Sequence, residues 1–449
     1  AGLQPTDLII VAGRPAMGKC LSHDAEVVLD DGTVATMAEI VRERPGRVGT
    51  LNQDFRLDRA MPERYVDDGE KPVFEVTTGL GRRVRTTLTH PFLTLDGWKP
   101  LGEIAEGDFV AVPRRLPVFG HKRMRDCEIR LLGYLIGDGG LTGPTPMFTA
   151  TNPEIQRDFA ECVGKFGGLS LRTIKNQERA QSFAVTGDRG GVSDAREAFA
   201  RNLNRAIGQG GATGGAVASA VGVAPATVTY WRQGRNVPDD ERCRRLGELL
   251  GLEVETLFDE TPESARRNRP NPLRVWLEEL GLYSHGAHAK FIPSPVFQLE
   301  ADQIGVFLNR LFATDGWASV YASGQAQIGY ASVSDRLVRQ VQHLLLRFDI
   351  LARVRPRTTQ YQNGSRPSWS LQVTHADSLR TFCKRIGIHG KHAETEAVMA
   401  ALEKKAPHCN ADLIPVEVWS IIEREKGDMS WAELARRAGM GSNPHPHRQ

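Results

Sequence analysis

The sequence predicts a multidomain protein in which an all-β segment precedes an α+β domain that carries an inserted all-α module. The chain has 449 residues, which is more than one hydrophobic core usually serves. Short alternating strands with Gly and Asp turns fill its first quarter, including residues 73–77 and 109–113. A nine-residue helical pattern then occurs twice, and a segment rich in helix signals lies between the two copies.

Composition sets limits on class and compartment. Hydrophobic residues at 40% and charged residues at 25% are typical of globular proteins, and a net charge of +3 means that any nucleic-acid surface must be local. Arginine-rich stretches at 82–85 and 353–366 are candidates, with solvated basic faces as the alternative. The six cysteines form no CxxC pair, which indicates a reducing cytosol rather than a disulfide framework. No apolar run reaches the roughly 20 residues of a membrane span, so a cytoplasmic protein without a membrane partner is expected.

The first motif of the chain is a phosphate-binding loop that lacks its last residue. Leu8-Ile-Ile-Val-Ala12 is typical of a buried parallel strand, and Gly13-Arg-Pro-Ala-Met-Gly18-Lys19 follows it as GxxxxGK. In such loops a Ser or Thr hydroxyl holds Mg²⁺, but here Cys20 occupies that position, and a thiol is a poor ligand for Mg²⁺. The next residues, 24–33, alternate like a β-hairpin where a helix should begin. The loop is therefore interrupted after Lys19.

The stretches on both sides of this interruption resemble known families. Residues 1–19 resemble the ATPase domain of DnaB-type replicative helicases. From Cys20 to about Arg115 the sequence resembles the amino-terminal half of an intein splicing domain of the Hint type. Cys20-Leu-Ser-His-Asp24 is similar to the first intein block, and Thr87-Leu-Thr-His90 matches the TxxH of the second. We therefore expect a cysteine-type intein inserted at the Lys19–Cys20 junction.

The resemblance implies a role for each of these residues. Cys20 would attack the carbonyl of the peptide bond before it, because a thiol is strongly nucleophilic near neutral pH. Lys19 would then be held in a thioester. His90 would protonate the leaving amine, and Thr87 would help hold the scissile peptide or its oxyanion. Splicing of this kind needs no cofactor.

The repeated pattern resembles the paired helices of LAGLIDADG homing endonucleases. Its copies are Leu131-Leu-Gly-Tyr-Leu-Ile-Gly-Asp138-Gly139 and Leu308-Asn-Arg-Leu-Phe-Ala-Thr-Asp315-Gly316. Residues at helical spacing, Gly133 with Gly137 and Asn309 with Ala313, would let the helices approach closely. Asp138 and Asp315 would then meet at two helix ends, each before a glycine cap, and bind Mg²⁺ for phosphodiester hydrolysis.

Two basic residues complete this expected nuclease site by resemblance. Lys290 in Lys-Phe-Ile-Pro293 and Lys391 in Gly-Ile-His-Gly-Lys391 match positions that assist cleavage. Asn309 stands where a small residue is preferred, so a cleavage-inactive, DNA-binding remnant is an alternative.

The segment between the two copies resembles a Cro-type helix-turn-helix over residues 216–258. Val217, Ala220 and Val221 would form one helix face, Gly222 the turn, and Pro225 the start of a recognition helix ending near residue 233. Side chains expected to reach DNA are those of Thr227, Thr229, Tyr230, Arg232 and Gln233. A helical spacer without DNA contacts is the alternative.

These features predict six segments along the chain. They are a helicase strand and loop at 1–19, half of the splicing domain at 20–115, the first endonuclease half at 120–200, the inserted helix-turn-helix at 201–265, the second endonuclease half at 266–400, and a linker with the start of a second helix-turn-helix-like segment at 411–449. The His-Asn end of an intein is not found after Asn410, and His408-Cys-Asn410 is followed by Ala411, which cannot act as a nucleophile. The carboxyl-terminal splicing residues are therefore expected outside this chain.

The function expected from the sequence is an intein in a replicative helicase that combines an acyl shift at Cys20 with cleavage of the uninterrupted helicase gene. Double-stranded DNA, the missing intein and helicase segments, and a helicase hexamer after splicing would be its partners. ATP would serve only the spliced helicase. A helicase fragment that binds ATP is the rival interpretation, and residues 1–19 alone support it.

Overall fold

A computed structural model describes residues 20–52, 54, 56–174, 180–188, 192–258, 262–265, 271–361, 364–404 and 416–438. The chain folds into two compact units. The first lies within residues 1–138, 152–155 and 285–449, and the second within residues 139–151 and 156–284. The loop residues Gly13, Gly18 and Lys19 and the His408-Cys-Asn410 stretch lie outside the described residues. Among the helices that are described, none is long and apolar enough to cross a membrane.

The segment after Cys20 forms antiparallel two-stranded ribbons in the first unit, as the hairpin-like pattern predicts. They pair β1 (Glu26–Val28) with β2 (Val34–Thr36), β3 (Val48–Leu51) with β4 (Leu57–Ala60), β5 (Phe74–Thr77) with β6 (Arg83–Thr86), and β7 (Pro91–Thr94) with β8 (Gly97–Pro100). Helix α1 (Met37–Glu43) follows β2 and begins with a capping box between Thr36 and Glu39. The strand predicted at 109–113 is wrong. That stretch is held to Leu93 by the N–H of Ala111, and Pro113 has no N–H with which to extend a ladder.

The first nine-residue copy lies on α2 (Asp126–Asp138) in the first unit. The strands that come after it belong to the second unit, in a sheet of order β11-β12-β10-β9. Its members are β9 (Gly139–Gly140), β10 (Met147–Ala150), β11 (Leu169–Ile174) and β12 (Gln181–Gly187), and α3 (Pro153–Phe166) lies between β10 and β11. Phe148 of β10 stacks on Phe159 of α3 with ring centroids 4.3 Å apart. The helix therefore covers one face of this sheet.

A helical module follows β12 in the second unit. Its helices are α4 (Val192–Gln209), α5 (Gly214–Val221), α6 (Pro225–Arg232) and α7 (Asp240–Leu250). Trp231 is 2% exposed and lies in a core to which α4 contributes Phe199, two residues before the boundary expected at 201. Gly222 has a φ of 76° and supplies the predicted turn, and Pro225 opens α6 as predicted. One face residue was wrong, since Ala218 is buried while Ala220 is exposed.

The chain then leaves the module through α8 (Pro272–Glu279) and the short α9 (Ser294–Phe297). The second nine-residue copy ends α10 (Ala301–Asp315) in the first unit. It is followed by β13 (Gly316–Val320), β14 (Ala326–Ser332), α11 (Asp335–Arg347), β15 (Arg353–Tyr361), β16 (Gly364–Val373), α12 (Ala376–Arg385) and α13 (His392–Lys404). Two further helices, α14 (Val416–Lys426) and α15 (Trp431–Arg437), lie near the end of the chain.

The two sheets repeat one topology. The second sheet has the order β13-β14-β16-β15, which matches β9-β10-β12-β11 element for element. Both halves run helix, two strands, helix, two strands, helix, and the helical module enters the first half between β12 and α8. This supports the α+β prediction with an insertion in the first half.

A buried arginine joins the splicing half to the endonuclease core within the first unit. Arg347 at the end of α11 is 1% exposed and donates to the carbonyls of Gly32 (2.6 Å) and Phe297 (2.7 Å). Burial lowers the pKa of Arg347 to about 10. Gly32 has a φ of +88°, and a Cβ there would lie 2.4 Å from the Phe297 carbonyl oxygen. The contact therefore needs both the arginine and the glycine.

Candidate active sites

The peptide that begins at Cys20 lies along β6 like a short extra strand. Leu21 forms a β-bridge with Thr86, and the Ser22 N–H donates to the Arg85 carbonyl at 3.0 Å. The Cys20 carbonyl accepts from Thr86 Oγ1 at 2.9 Å and from the Thr87 N–H at 3.2 Å. Three consecutive residues after the predicted junction are thus fixed by backbone pairing.

The TxxH residues lie at the end of this strand, close to Cys20. Thr87 is 6% exposed, and its Oγ1 lies 3.4 Å from the Cys20 carbonyl oxygen. It therefore contacts the carbonyl after the nucleophile, while the Lys19 carbonyl assigned to it by resemblance lies outside the described residues. Thr86, fully buried and better placed on the same carbonyl, was missed. His90 is 1% exposed, its N–H donates to the Thr87 carbonyl, and its ring meets Phe92 edge to face at 5.5 Å.

The Cys20 thiol has two charged neighbours that sequence reasoning missed. Cys20 Sγ donates to Asp68 Oδ2 at 2.8 Å, and Lys71 Nζ lies 3.9 Å from the sulfur while also pairing with Asp68. Burial raises the pKa of the Cys20 thiol, the Asp68 carboxylate raises it further, and Lys71 opposes this. The thiol is therefore held protonated before attack.

The predicted carboxylates end two helices that pack backbone to backbone. A Cβ at Gly133 of α2 would lie 2.8 Å from the Phe307 carbonyl oxygen of α10, and one at Gly137 would lie 2.0 Å from Thr314 Oγ1. Asp138 and Asp315 are the last residues of their helices, as predicted. The Asp138 charge raises the pKa of Asp315, so the two helix ends bring these carboxylates close enough to interact.

Two details of this prediction were wrong. Gly316 is not a left-handed cap: its φ is −89°, and it must be glycine because a Cβ would lie 2.6 Å from the Phe312 carbonyl oxygen. Asn309 is not a helix–helix contact, since its Nδ2 donates to the Ile386 carbonyl at 2.7 Å. The positions equivalent to Gly133 and Gly137 are Arg310 and Thr314, so the asparagine does not disturb the paired helices.

The two lysines occupy equivalent places at the two helix ends. Lys290 is 7% exposed and donates from Nζ to the carbonyls of Leu135 (3.4 Å) and Gly137 at the end of α2. Lys391 donates to the carbonyls of Phe312 (3.4 Å), Thr314 (3.2 Å) and Gly316 at the end of α10. Leu135 with Phe312 and Gly137 with Thr314 are the same positions of the repeated pattern. Each lysine therefore neutralises one helix carboxyl end.

The electrostatics of the four groups are coupled. Both aspartates are exposed at the surface, yet the protein around their carboxylates raises the pKa of Asp138 by desolvation and that of Asp315 to about 6 by desolvation and the Asp138 charge. Burial lowers the pKa of Lys290 and of Lys391, while the aspartates oppose this. Paired carboxylates with raised pKa values suit a divalent cation, because the metal relieves their repulsion.

The predicted DNA-reading residues lie on the outer side of α6. Thr229, Tyr230, Arg232 and Gln233 are exposed, and Thr227 is half-buried. Thr229 Oγ1 is bonded to the Pro225 carbonyl (3.2 Å), and Arg232 Nε donates to Asn204 (2.6 Å). The Thr229 hydroxyl and the Arg232 guanidinium are thus partly engaged within the helical module.

Comparison with known proteins gives a family match for the second of the paired helices. Residues 302–387, which include the α10 copy with Asp315, match a LAGLIDADG-like domain. The chain is also 28% identical to the replicative DNA helicase DnaB of Rhodothermus marinus over 413 residues, covering 90% of this chain and 36% of the relative. The DnaB of Synechocystis is 27% identical over 407 residues, 89% of this chain and 38% of the relative. The chain thus spans just over a third of the length of these relatives.

Two further matches are to a RecA protein and to an intein structure. Protein RecA of Mycobacterium bovis is 25% identical over 387 residues, 83% of this chain and 39% of the relative. A crystal structure of a variant of the Ssp DnaB mini-intein is 28% identical, with a TM-score of 0.20, and covers 22% of this chain and 63% of its own. The DnaB and RecA alignments are both far longer than the 19 residues before Cys20, so the similarity to proteins of different name lies mainly in the segment that begins at Cys20. The domain match and the DnaB relatives support the recognition of this chain as an intein that carries a LAGLIDADG endonuclease domain within a DnaB-like host.

Proposed function

We propose that this chain performs the first step of protein splicing at Cys20 and cleaves DNA through Asp138 and Asp315. The first activity rests on one arrangement: the carbonyl of Cys20 is anchored to Thr86 and Thr87, while its thiol remains accessible beside Asp68. A nucleophile whose following peptide is fixed needs little reorganisation to attack the preceding carbonyl.

In the acyl shift, Cys20 Sγ forms a bond to the Lys19 carbonyl carbon, and its proton passes to the Asp68 carboxylate that accepts the thiol hydrogen bond. The Lys19–Cys20 C–N bond breaks as the leaving nitrogen gains a proton, for which the buried His90 is the proposed donor. The product is a thioester at Lys19 and a free amine at Cys20. Thr87 acts in this proposal by holding the Cys20 carbonyl in place.

The test of this step is release of the first 19 residues by an added small thiol. Mass spectrometry of the purified chain should detect the 1–19 peptide as a thioester or its hydrolysed acid. Cys20→Ala should abolish release, whereas Cys383→Ser, a change at another partly exposed cysteine, should leave it intact. An intact junction in a chain shown to be folded by circular dichroism would refute the acyl shift.

The nuclease proposal rests on the equivalent Asp–Lys arrangement at the ends of α2 and α10. Mg²⁺ fits these carboxylates because hard cations prefer oxygen ligands, and it would supply activation of water and stabilisation of the leaving oxygen. Lys290 and Lys391 hold the helix ends and place positive charge where the scissile phosphate would bind. The proposed substrate is double-stranded DNA of the uninterrupted helicase gene.

Plasmid cleavage tests this second activity. With Mg²⁺, a plasmid carrying the uninterrupted site should be cut, and Asp138→Asn or Asp315→Asn should abolish cutting. Asp302→Asn changes an exposed aspartate in the first turn of α10 and should have no effect. Binding without cleavage by the unaltered chain would instead favour the DNA-binding remnant.

We further propose that α6 adds site recognition through Thr227, Thr229, Tyr230, Arg232 and Gln233. Its exposed position after the Gly222 turn supports this role. Tyr230→Ala should weaken binding of site DNA in fluorescence anisotropy, while Tyr321→Ala, at a comparably exposed tyrosine elsewhere, should not. Equal binding by both variants would favour the spacer. ATP binding and hexamer assembly would belong to the helicase after splicing.

A further inference from the structure

A cluster of two imidazoles and a carboxylate lies beside the second nuclease lysine. Glu154 Oε1 is 3.0 Å from His392 Nε2 and 3.7 Å from His389 Nδ1. One potential ligand atom from each residue lies within 4.8 Å of the other two. All three residues belong to the first unit.

The local backbone explains why these distant residues meet. His389 and His392 flank a turn in which Gly390 has a φ of +73°, and α13 begins at His392. Asn152 Nδ2 donates to the Gly390 carbonyl at 2.7 Å, and Asn152 Oδ1 accepts from the Glu154 N–H at 2.8 Å. A Cβ at Gly390 would lie 2.9 Å from Asn152 Nδ2. The same asparagine therefore fixes both the histidine turn and the start of α3.

We propose that Glu154, His389 and His392 form a binding site for a borderline divalent transition metal such as Zn²⁺, separate from the Asp138–Asp315 pair. Two imidazoles with one carboxylate are a common zinc ligand set, whereas Mg²⁺ prefers oxygen ligands alone. Ligand atoms in a tetrahedral zinc site lie roughly 3.3–3.5 Å apart, given metal–ligand distances of about 2.0–2.2 Å. The observed contacts need only small side-chain rotations to reach this geometry.

Two of the three side chains are open to solvent, so water could supply a fourth ligand to a metal. The side chains of His392 and Glu154 are 62% and 40% exposed, and that of His389 is 16% exposed. Lys391 lies between the histidines in sequence, but its Nζ is directed to the carbonyls at the end of α10. Its charge is therefore held by those carbonyls. A bound ion would tie the Lys391 turn to Glu154, within the first unit, and so stabilise the lysine at the α10 end.

Zinc titration of the full chain, first stripped with a chelator, tests the site. The unaltered chain should bind one more equivalent of Zn²⁺ than His392→Ala when it competes with a chromogenic chelator. It should also melt at a higher temperature with micromolar Zn²⁺, a shift that His392→Ala loses. His288→Ala removes an exposed histidine elsewhere in the first unit and should behave like the unaltered chain.

Two more variants separate this site from other ligands. Glu154→Gln keeps a hydrogen-bond acceptor for the histidines but should weaken zinc binding by at least the roughly 10–100-fold seen when residues that orient metal ligands are lost. Asp138→Asn with Asp315→Asn should leave the zinc equivalent in place. The proposal is overturned if His392→Ala and the unaltered chain bind the same number of zinc ions, or if the equivalent disappears with the two aspartates.

Discussion

Replacing Gly133 with alanine should test directly whether the close approach of α2 and α10 builds the nuclease site. The added Cβ would lie 2.6 Å from Arg310 Cβ, 2.8 Å from the Phe307 carbonyl oxygen and 3.0 Å from the Leu311 nitrogen. Carbon atoms in ordinary contact lie about 3.5–4.0 Å apart. The two helices must therefore separate by roughly 0.5–1 Å, because two of the three contacts are to backbone atoms.

The expected cost is the balance of two opposing terms. Overpacking a buried contact typically costs about 1–3 kcal/mol. Alanine in a helix interior gains about 0.5–1 kcal/mol over glycine. The difference is about 0–2.5 kcal/mol, with a middle value of about 1 kcal/mol, so Gly133→Ala should lower the melting temperature by about 2–4 °C. Cleavage should fall by up to about 100-fold, because the aspartates move apart.

Gly164 offers a matched control within α3. It is also in a helix interior, but no atom lies within 4 Å of the position its Cβ would take. Gly164→Ala should stabilise its own transition by about 0.5–1 kcal/mol and leave cleavage unchanged. Differential scanning calorimetry and plasmid cleavage measure both effects. If the two substitutions move the melting transitions in the same direction, or if Gly133→Ala cuts normally, the helix contact does not have the role assigned to it.

Three further results are expected. Asp68→Asn should lower the pKa of Cys20 and shift the pH profile of thiol-induced cleavage to lower pH, since the carboxylate raises that pKa. Asp67→Asn is the control, and an unchanged profile for Asp68→Asn would contradict the role of Asp68 beside the thiol. Asp315 has a folded pKa of about 6, above its unfolded value, so its contribution to stability is present at low pH and is lost as the pH rises through about 6. Metal-free Asp315→Asn should therefore be more stable than the unaltered chain at pH 7.5 by about 1 kcal/mol. The difference between a pKa of about 6 and the usual value for aspartate corresponds to about 3 kcal/mol, which solvent screening at this exposed carboxylate reduces. Equal thermal melts from pH 5 to 8 would refute this. Arg347→Met should lower the free energy of unfolding in urea denaturation by roughly 2–4 kcal/mol, because it leaves two buried carbonyls without a donor. A loss below about 0.5 kcal/mol would show that water replaces the guanidinium.

The parts of the site that were predictable lie in short linear patterns. Cys20, His90 and the two aspartates each belong to a motif of nine residues or fewer, so one sequence reveals them. Asp68 lies 48 residues from Cys20, and it reaches the sulfur only because the chain folds back beside β6. Thr86 was missed because the TxxH pattern begins one residue later, although Thr86 makes the shorter bond to the Cys20 carbonyl. Side-chain contacts between distant segments leave no periodic signal in the sequence.

The same limit explains the errors within individual elements. Ala218 and Ala220 are equally apolar, and only the direction of α5 within its core decides which one is buried. The stretch at 109–113 alternates like a strand, and the Ala111 N–H bonds to Leu93 of β7, but this contact is not extended into a ladder. A strand requires a paired partner as well as a pattern. Asn309 occupies a pattern position that faces the 386 turn rather than α2, which a helix viewed alone cannot reveal.

The spacing of the two lysines shows how the insertion was accommodated. Lys290 follows Asp138 by 152 residues, whereas Lys391 follows Asp315 by 76. The excess of 76 residues is close to the length of the helical module from Val192 to Ala265, which enters between β12 and α8. The second half has its own link between β16 and α12 at the equivalent place, so both halves reach their lysine through the same order of elements. The module thus lengthens the chain at one connection while each lysine still binds the carboxyl end of its helix. Because long insertions in connections cost little conformational free energy, a helical unit could be added there without separating the two aspartates.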